Sequence, residues 1–208
     1  MLYGILKSST NTGLDSELQC VFSTPLSIFS NQPDYVQDSL NLTRTASSQN
    51  VQRWEIETKL SPLNGSSAYL THSVLNGRHK TFYVRMPQVP NLAYSTATVT
   101  VGNNANYSLA IPANSEYMRI SGASAMVPGE FFRFPNDSKV YMVVEGGAAG
   151  ANVKFAPRNR VSVSSGATLV LGGKVTMNAS YDVDVAVGIV YSDGVLSDPG
   201  TIKLVERI

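Results

Sequence analysis

The 208-residue chain has one cysteine, two histidines and one tryptophan, few charges, and no apolar run of membrane-spanning length. Cys20 alone cannot close a disulfide within the chain, and nothing near it has metal-ligand spacing. It reads as a small buried hydrophobe on a strand. Charged residues make up 15% of the sequence, 16 basic against 15 acidic, for a formal net charge of +1. That balance leaves no global field to draw in DNA, RNA or an anionic membrane, so no specific nucleic-acid recognition is expected. No stretch approaches the roughly 20 apolar residues of a membrane span. The N-terminal MLYGIL lacks the length and basic start of a secretory signal, so the expectation is synthesis in the cytoplasm without membrane insertion. The Asn-x-Ser/Thr triplets at Asn41, Asn64, Asn106, Asn136 and Asn178 therefore carry no weight as glycosylation sites.

What the chain has in quantity is short alternating runs between turn formers. In VQRWEIETKL, residues 51–60, Trp54, Ile56, Thr58 and Leu60 fall on one face, and Arg53, Glu55, Glu57 and Lys59 on the other. Such a period of two is the mark of an antiparallel strand with one packed face. Leu40 and Leu42 alternate with Asn41 and Thr43, which predicts a partner strand joined to the first through a polar loop at 46–50. Ser66 or Ser67 as cap, the Tyr69, Leu70, Val74 and Leu75 stripe, and Gly77 as stop predict one short helix. TFYVRMP (81–87) returns as a strand, and PQVPNLAYS (87–95) marks a boundary between lobes at 1–90 and 91–208.

Beyond that boundary the pattern is nearly all strand and turn: ATVTV (97–101), YSLAIPA (107–113), MRISGA (118–123), NVKFAP (152–157), TLVLGGKVTMN (168–178), YDVDVAVGIVY (181–191) and TIKLVER (201–207). GEFFRFPNDSKVYMVVEG (129–146) reads as a hairpin, with Pro135, Asn136, Asp137 and Ser138 turning the chain between two strand-forming clusters. Gly172-Gly173 inside an apolar run predicts a bulge or corner. The expected fold is mainly β, an antiparallel barrel or sandwich in two lobes with one short flanking helix.

A search for chemistry finds no catalytic, cofactor-binding or metal-ligating set. His72 and His79 lack further ligands at metal spacing. GGAAG (146–150) lacks the lysine and following helix of a phosphate loop. Gly122-Ala123-Ser124-Ala125 lacks the final glycine and the α/β setting of a serine nucleophile elbow. Asp182 and Asp184 alternate on one strand face and read as solvated, since no further oxygen ligands have calcium spacing. The ten tyrosines are dispersed rather than gathered into a sugar platform. Trp54, Phe132, Phe134 and Tyr141 are assigned to cores, and the loops at 8–17, 46–50 and 146–152 to partner contacts.

QRWEIETKL after a polar loop, and PGEFFRFPNDSKVYMVVEG followed by VKFAPRN and the late YDVDVAVGI strand, resemble segments of structural tail proteins of tailed bacteriophages. The second stretch matches a pattern of those virion proteins at Gly129, Glu130, Phe131, Phe132, Phe134, Lys139, Val140, Tyr141, Val143 and Pro157. The sequence departs from that pattern in the Glu-Gly-Gly-Ala-Ala-Gly that follows the hairpin. The resemblance implies a distal-tail, baseplate or tube-end component that is not an enzyme. It would be synthesised in the host cytoplasm and incorporated in the virion, in contact with other tail subunits and arranged as a homo-oligomeric ring, a hexamer in the commonest case. The alternatives are a β-sandwich carbohydrate-binding or receptor-binding module and, third, a tail-associated hydrolase using Asp184.

Overall fold

The computed structural model describes residues 2–38, 44–48, 51–62, 80–88, 99–101, 110–122, 125–182, 190–192, 195–198 and 201–208. The first half of the described chain holds β1 (Gly4–Leu6), β2 (Leu18–Phe22), β3 (Ser27–Asn31), β4 (Asp34–Asp38), β5 (Arg44–Ser48), β6 (Arg53–Pro62), β7 (Phe82–Arg85) and β8 (Val99–Val101). The second holds β9 (Tyr117–Gly122), β10 (Phe131–Arg133), β11 (Val140–Glu145), β12 (Asn152–Ala156), β13 (Thr176–Tyr181), β14 (Val190–Ser192), β15 (Val195–Asp198) and β16 (Thr201–Glu206). The fold is mainly β and, among the described residues, every strand pairing is antiparallel, as the alternating pattern predicts.

Seven strands form one sheet in the order β16-β13-β7-β1-β2-β6-β3, and β16 also pairs with β6. That second pairing curls the sheet back on itself, which gives it a barrel-like interior. The sheet draws strands from both sides of the 87–95 segment, because β13 pairs with β7 and β16 with β6. At its tightest point β1 lies directly on β2: a Cβ added to Gly4 would fall 1.9 Å from the Cys20 carbonyl oxygen. The second sheet has the order β10-β11-β12-β9-β8. Its two edges are both met by the segment before β13, through the bridges Thr100↔Thr168 and Arg133↔Val170.

The hairpin at 129–146 forms as its turn residues predict, with Phe131 opposite Met142, Phe132 opposite Tyr141 and Arg133 opposite Val140. Its alternation serves two cores at once. Phe132, Phe134, Tyr141 and Val143 pack inside the second sheet with Met118, Ile120 and Phe155. Phe131 and Val140, on the opposite face, pack into the first sheet's core with Trp54, Ile56 and Leu204. A strand pair buried on both faces reads as nearly continuous hydrophobic sequence, which is why the stretch is so rich in Phe, Tyr and Val. Gly172 takes φ +60° at the start of a short 3-10 turn, Gly172–Lys174, and provides the corner expected at Gly172-Gly173.

Two local expectations change. Ala46, Ser47 and Ser48 are not a loop but the end of β5, which pairs with β4. The partners of β6 are β2, β3 and β16. Polar Ser and Thr tolerate a strand when a neighbour supplies the ladder, and local composition does not name that neighbour. The predicted strand at Leu40–Thr43, the helix at 66–77 and Val183–Ile189 lie outside the described residues.

Candidate functional site

Among the described residues a cluster of buried polar contacts lies where the two sheets meet. Glu206, at the end of β16, is buried and accepts three hydrogen bonds. The Trp54 backbone N–H donates to its Oε2 at 3.0 Å, the Val140 N–H to its Oε1 at 3.0 Å, and the buried Lys139 ammonium closes an ion pair with it. Burial pushes the Lys139 ammonium down from its ordinary value, and Glu206 opposes that shift. Trp54 completes the knot: its Nε1–H donates to the Val140 carbonyl at 2.8 Å, and its ring meets Phe131 edge-on at 5.3 Å. Two buried side chains of the first sheet, Glu206 and Trp54, thus hold the backbone N–H and carbonyl of Val140 in the second.

A second cluster fixes the hairpin turn. Asp137 accepts from Tyr141 Oη at 2.7 Å, from Arg160 Nη2 at 2.5 Å and from the Lys139 backbone N–H at 3.1 Å. Burial would raise this carboxyl, but the Arg160 and Tyr141 hydrogen bonds hold it below its usual range. The same Tyr141 ring stacks on Phe132 at 5.7 Å and meets Phe134 at 5.0 Å, so the turn's polar anchor is built on the core. Both carboxylates, Glu206 and Asp137, are committed to a cation and to backbone donors.

The loops assigned to partner contacts differ in how firmly they are held. Residues 8–17 wrap the guanidinium of Arg85, which is completely buried. It donates to Asp15 Oδ1 at 2.9 Å, to the Leu14 carbonyl at 2.6 Å and to Asn11 Oδ1 at 3.2 Å, and it pairs with Glu17 at 3.4 Å. The loop is therefore fixed, and it presents Leu14, 62% exposed, at its surface. The 146–152 loop joins β11 to β12 and is steadied by the two reciprocal hydrogen bonds between Met126 and Gly147. Of the third loop, 46–48 belongs to β5 and 49–50 lies outside the described residues.

On the outer face of the first sheet, Glu55 departs from its predicted wet position. It is buried and accepts from Asn31 at 2.7 Å while pairing with Lys203 at 3.0 Å and Arg53 at 3.2 Å. Burial raises it, and Asn31 and Lys203 more than offset that, so its carboxyl sits below the ordinary value. Lys203 also pairs with Asp182 at 2.9 Å. Asp182 is thus part of an ion-pair chain. Asp184, His72, His79 and Ser124 lie outside the described residues. Cys20 is fully buried, and burial pushes its thiol up to about 12, so it carries little thiolate character. Among the described residues no group of three or more His, Cys, Asp or Glu side chains is placed to hold a metal ion.

Sequence reasoning missed Glu130. This carboxyl is fully buried; its Oε2 accepts a long 3.4 Å hydrogen bond from the Val127 N–H, and its Oε1 has no partner. Burial pushes it up from 4.5 to about 7, with the Val127 N–H opposing. In the unfolded chain the group ionises near its ordinary value, so the folded chain binds the proton more tightly. The stability it contributes is complete below that ordinary value and is lost as pH rises through about 7. At about 1.4 kcal/mol per pH unit the loss amounts to roughly 3 kcal/mol. Urea unfolding compared at about pH 5 and pH 8 is expected to show it, and Glu130→Gln is expected to remove it. Equal pH dependence in the two proteins would exclude the assignment.

Compared with known protein families and with curated proteins, the chain matches none.

Proposed function

We propose that the chain is a structural subunit of a bacteriophage tail, of the distal-tail, baseplate or tube-end kind, working through assembly rather than turnover. The observation that carries this reading is the role of the residues behind the tail-protein resemblance. Phe131, Phe132, Phe134, Lys139, Val140, Tyr141 and Val143 all serve the cores or the joint between the sheets. The resembling pattern is thus a scaffold pattern, and what the scaffold carries outward are loops, among them the fixed 8–17 loop with its exposed Leu14. A ring subunit needs this division between a rigid body and loops that fit one neighbour. The partners in this reading are further copies of the chain, in a ring with a hexamer favoured, and other tail subunits; the location is the virion, after synthesis in the host cytoplasm.

Negative-stain images of the purified chain test the reading. Closed rings are expected, and Leu14→Asp is expected to abolish them without lowering the melting temperature. Fields of single particles from the unaltered chain, at every concentration imaged, would count against ring assembly.

A further inference from the structure

Glu130 stands one ladder position before Phe131, opposite Val143, and alternation turns its side chain to the face that Phe132 and Val143 share, the second sheet's core. A short cap covers it there. Val127–Glu130 is a type II turn, with Pro128 second, Gly129 third at φ +85°, and the Glu130 N–H donating to the Val127 carbonyl at 3.2 Å. Met126, just before the turn, is buried in the same core and exchanges hydrogen bonds of 2.9 and 3.0 Å with Gly147. Turn and loop touch closely: a Cβ added to Gly146 would fall 2.3 Å from the Met126 carbonyl oxygen and 2.9 Å from Pro128 Cδ. The far end of the loop is held separately, by the Gly150 N–H on the Ile120 carbonyl at 2.8 Å.

While this cap is closed the carboxyl has no counter-charge. It is fully buried, and among the described residues its one hydrogen bond is the long contact from Val127 to Oε2. The charged groups on the surrounding strands are Glu145 on β11, Lys154 on β12 and Arg119 on β9. Glu145 pairs with Lys154 at 3.6 Å, Lys154 also lies over the Tyr117 ring, and Arg119 donates to the Gly150 carbonyl at 2.9 Å. The Tyr141 phenol belongs to the same core and is bound to Asp137. None of these contributes to the rise of the Glu130 carboxyl, whose cause is burial. An anion here is strongly unfavourable unless water reaches it. The turn is the weakest barrier to water, since Pro128 and Gly129 are exposed while β10 and β11 are packed into both cores.

We propose that the Val127–Glu130 turn and the Met126–Gly147 pair form a pH-sensitive latch, closed over protonated Glu130 and opened to hydrate the carboxylate once its proton has passed to water. In the open form the carboxyl ionises near its ordinary 4.5, and in the closed form near 7. The ratio of open to closed molecules therefore rises about tenfold per pH unit between those values and levels off above them. The latch goes beyond the assembly reading and does not depend on it.

Amide hydrogen exchange of the whole chain, resolved by NMR and corrected for the intrinsic rate at each pH, tests the latch. From about pH 5 to about pH 8 the opening constants at Met126, Gly129, Glu130 and Gly147 are expected to rise about a hundredfold. They are also expected to be insensitive to sub-denaturing urea, because a local opening exposes little surface, and to exceed those of the β7–β13 ladder at every pH. Glu130→Gln, which keeps the shape and cannot ionise, is expected to abolish the pH dependence at these four amides. Should that variant fold poorly, the amide shifts of Val127 and Gly147 in the unaltered chain are expected to titrate together near 7. Opening that is independent of pH, that grows with urea as steeply as in the ladder, or that keeps its pH dependence in Glu130→Gln would each overturn the latch, as would a common titration near 4.5.

Discussion

Glu206→Gln is expected to destabilise the chain by about 3–5 kcal/mol, the usual cost of leaving one member of a buried ion pair without its counter-charge. The carboxylate holds Lys139 and two backbone N–H groups drawn from different sheets, Trp54 in β6 and Val140 in β11. Glutamine keeps one acceptor oxygen and so retains only one of those backbone bonds. Lys139 is then a buried ammonium without an anion. Adding Lys139→Met to Glu206→Gln removes the stranded charge, and the double variant is expected to be more stable than Glu206→Gln alone, because a buried pair replaced by neutral groups is often close to neutral. Urea midpoints of the two single variants and the double variant measure the coupling. Additive losses would show that Lys139 and Glu206 do not act as a pair.

Trp54→Ala is expected to cost about 3–5 kcal/mol, as for other large buried aromatics. The indole fills space in the first sheet's core, packs edge-on against Phe131 and donates to the Val140 carbonyl at 2.8 Å. Trp54→Phe separates these contributions. It keeps most of the apolar surface and leaves the Val140 carbonyl without its donor, for an expected loss of about 1–3 kcal/mol. An unchanged melting temperature in Trp54→Ala would contradict the core assignment. Because Phe131 and Val140 belong to the hairpin, the loss in Trp54→Ala should also appear as faster amide exchange in β11.

These large effects sit at residues whose partners are far away in sequence, and that separates what was legible from what was not. The hairpin could be read locally, since Pro135, Asn136, Asp137 and Ser138 stop one strand pattern and start another. The strand at 53–62 was visible from its period of two, and Trp54, Ile56 and Thr58 do face inward. The same pattern misplaced Glu55, because Asn31 and Lys203 reach it from other strands. Lys139 and Glu206 are 67 positions apart, and Trp54 and Glu206 are 152 apart. No window-sized pattern contains either pair. Charged residues are read as solvated by default, so buried Arg85, Glu130, Lys139 and Glu206 left no local sign. Strand partnership escaped for a related reason: alternation says which face is apolar but not which strand lies alongside. The polar β5 strand and the return of β13 and β16 into the first sheet are cases of it.

The mass of the purified chain in solution, followed from low to high concentration by light scattering, tests assembly most directly. Ring assembly gives a single closed species at a fixed multiple of 22.4 kDa, six being the favoured multiple, with no growth beyond it. A mass of 22.4 kDa at every concentration, or open-ended growth without a closed species, would contradict it.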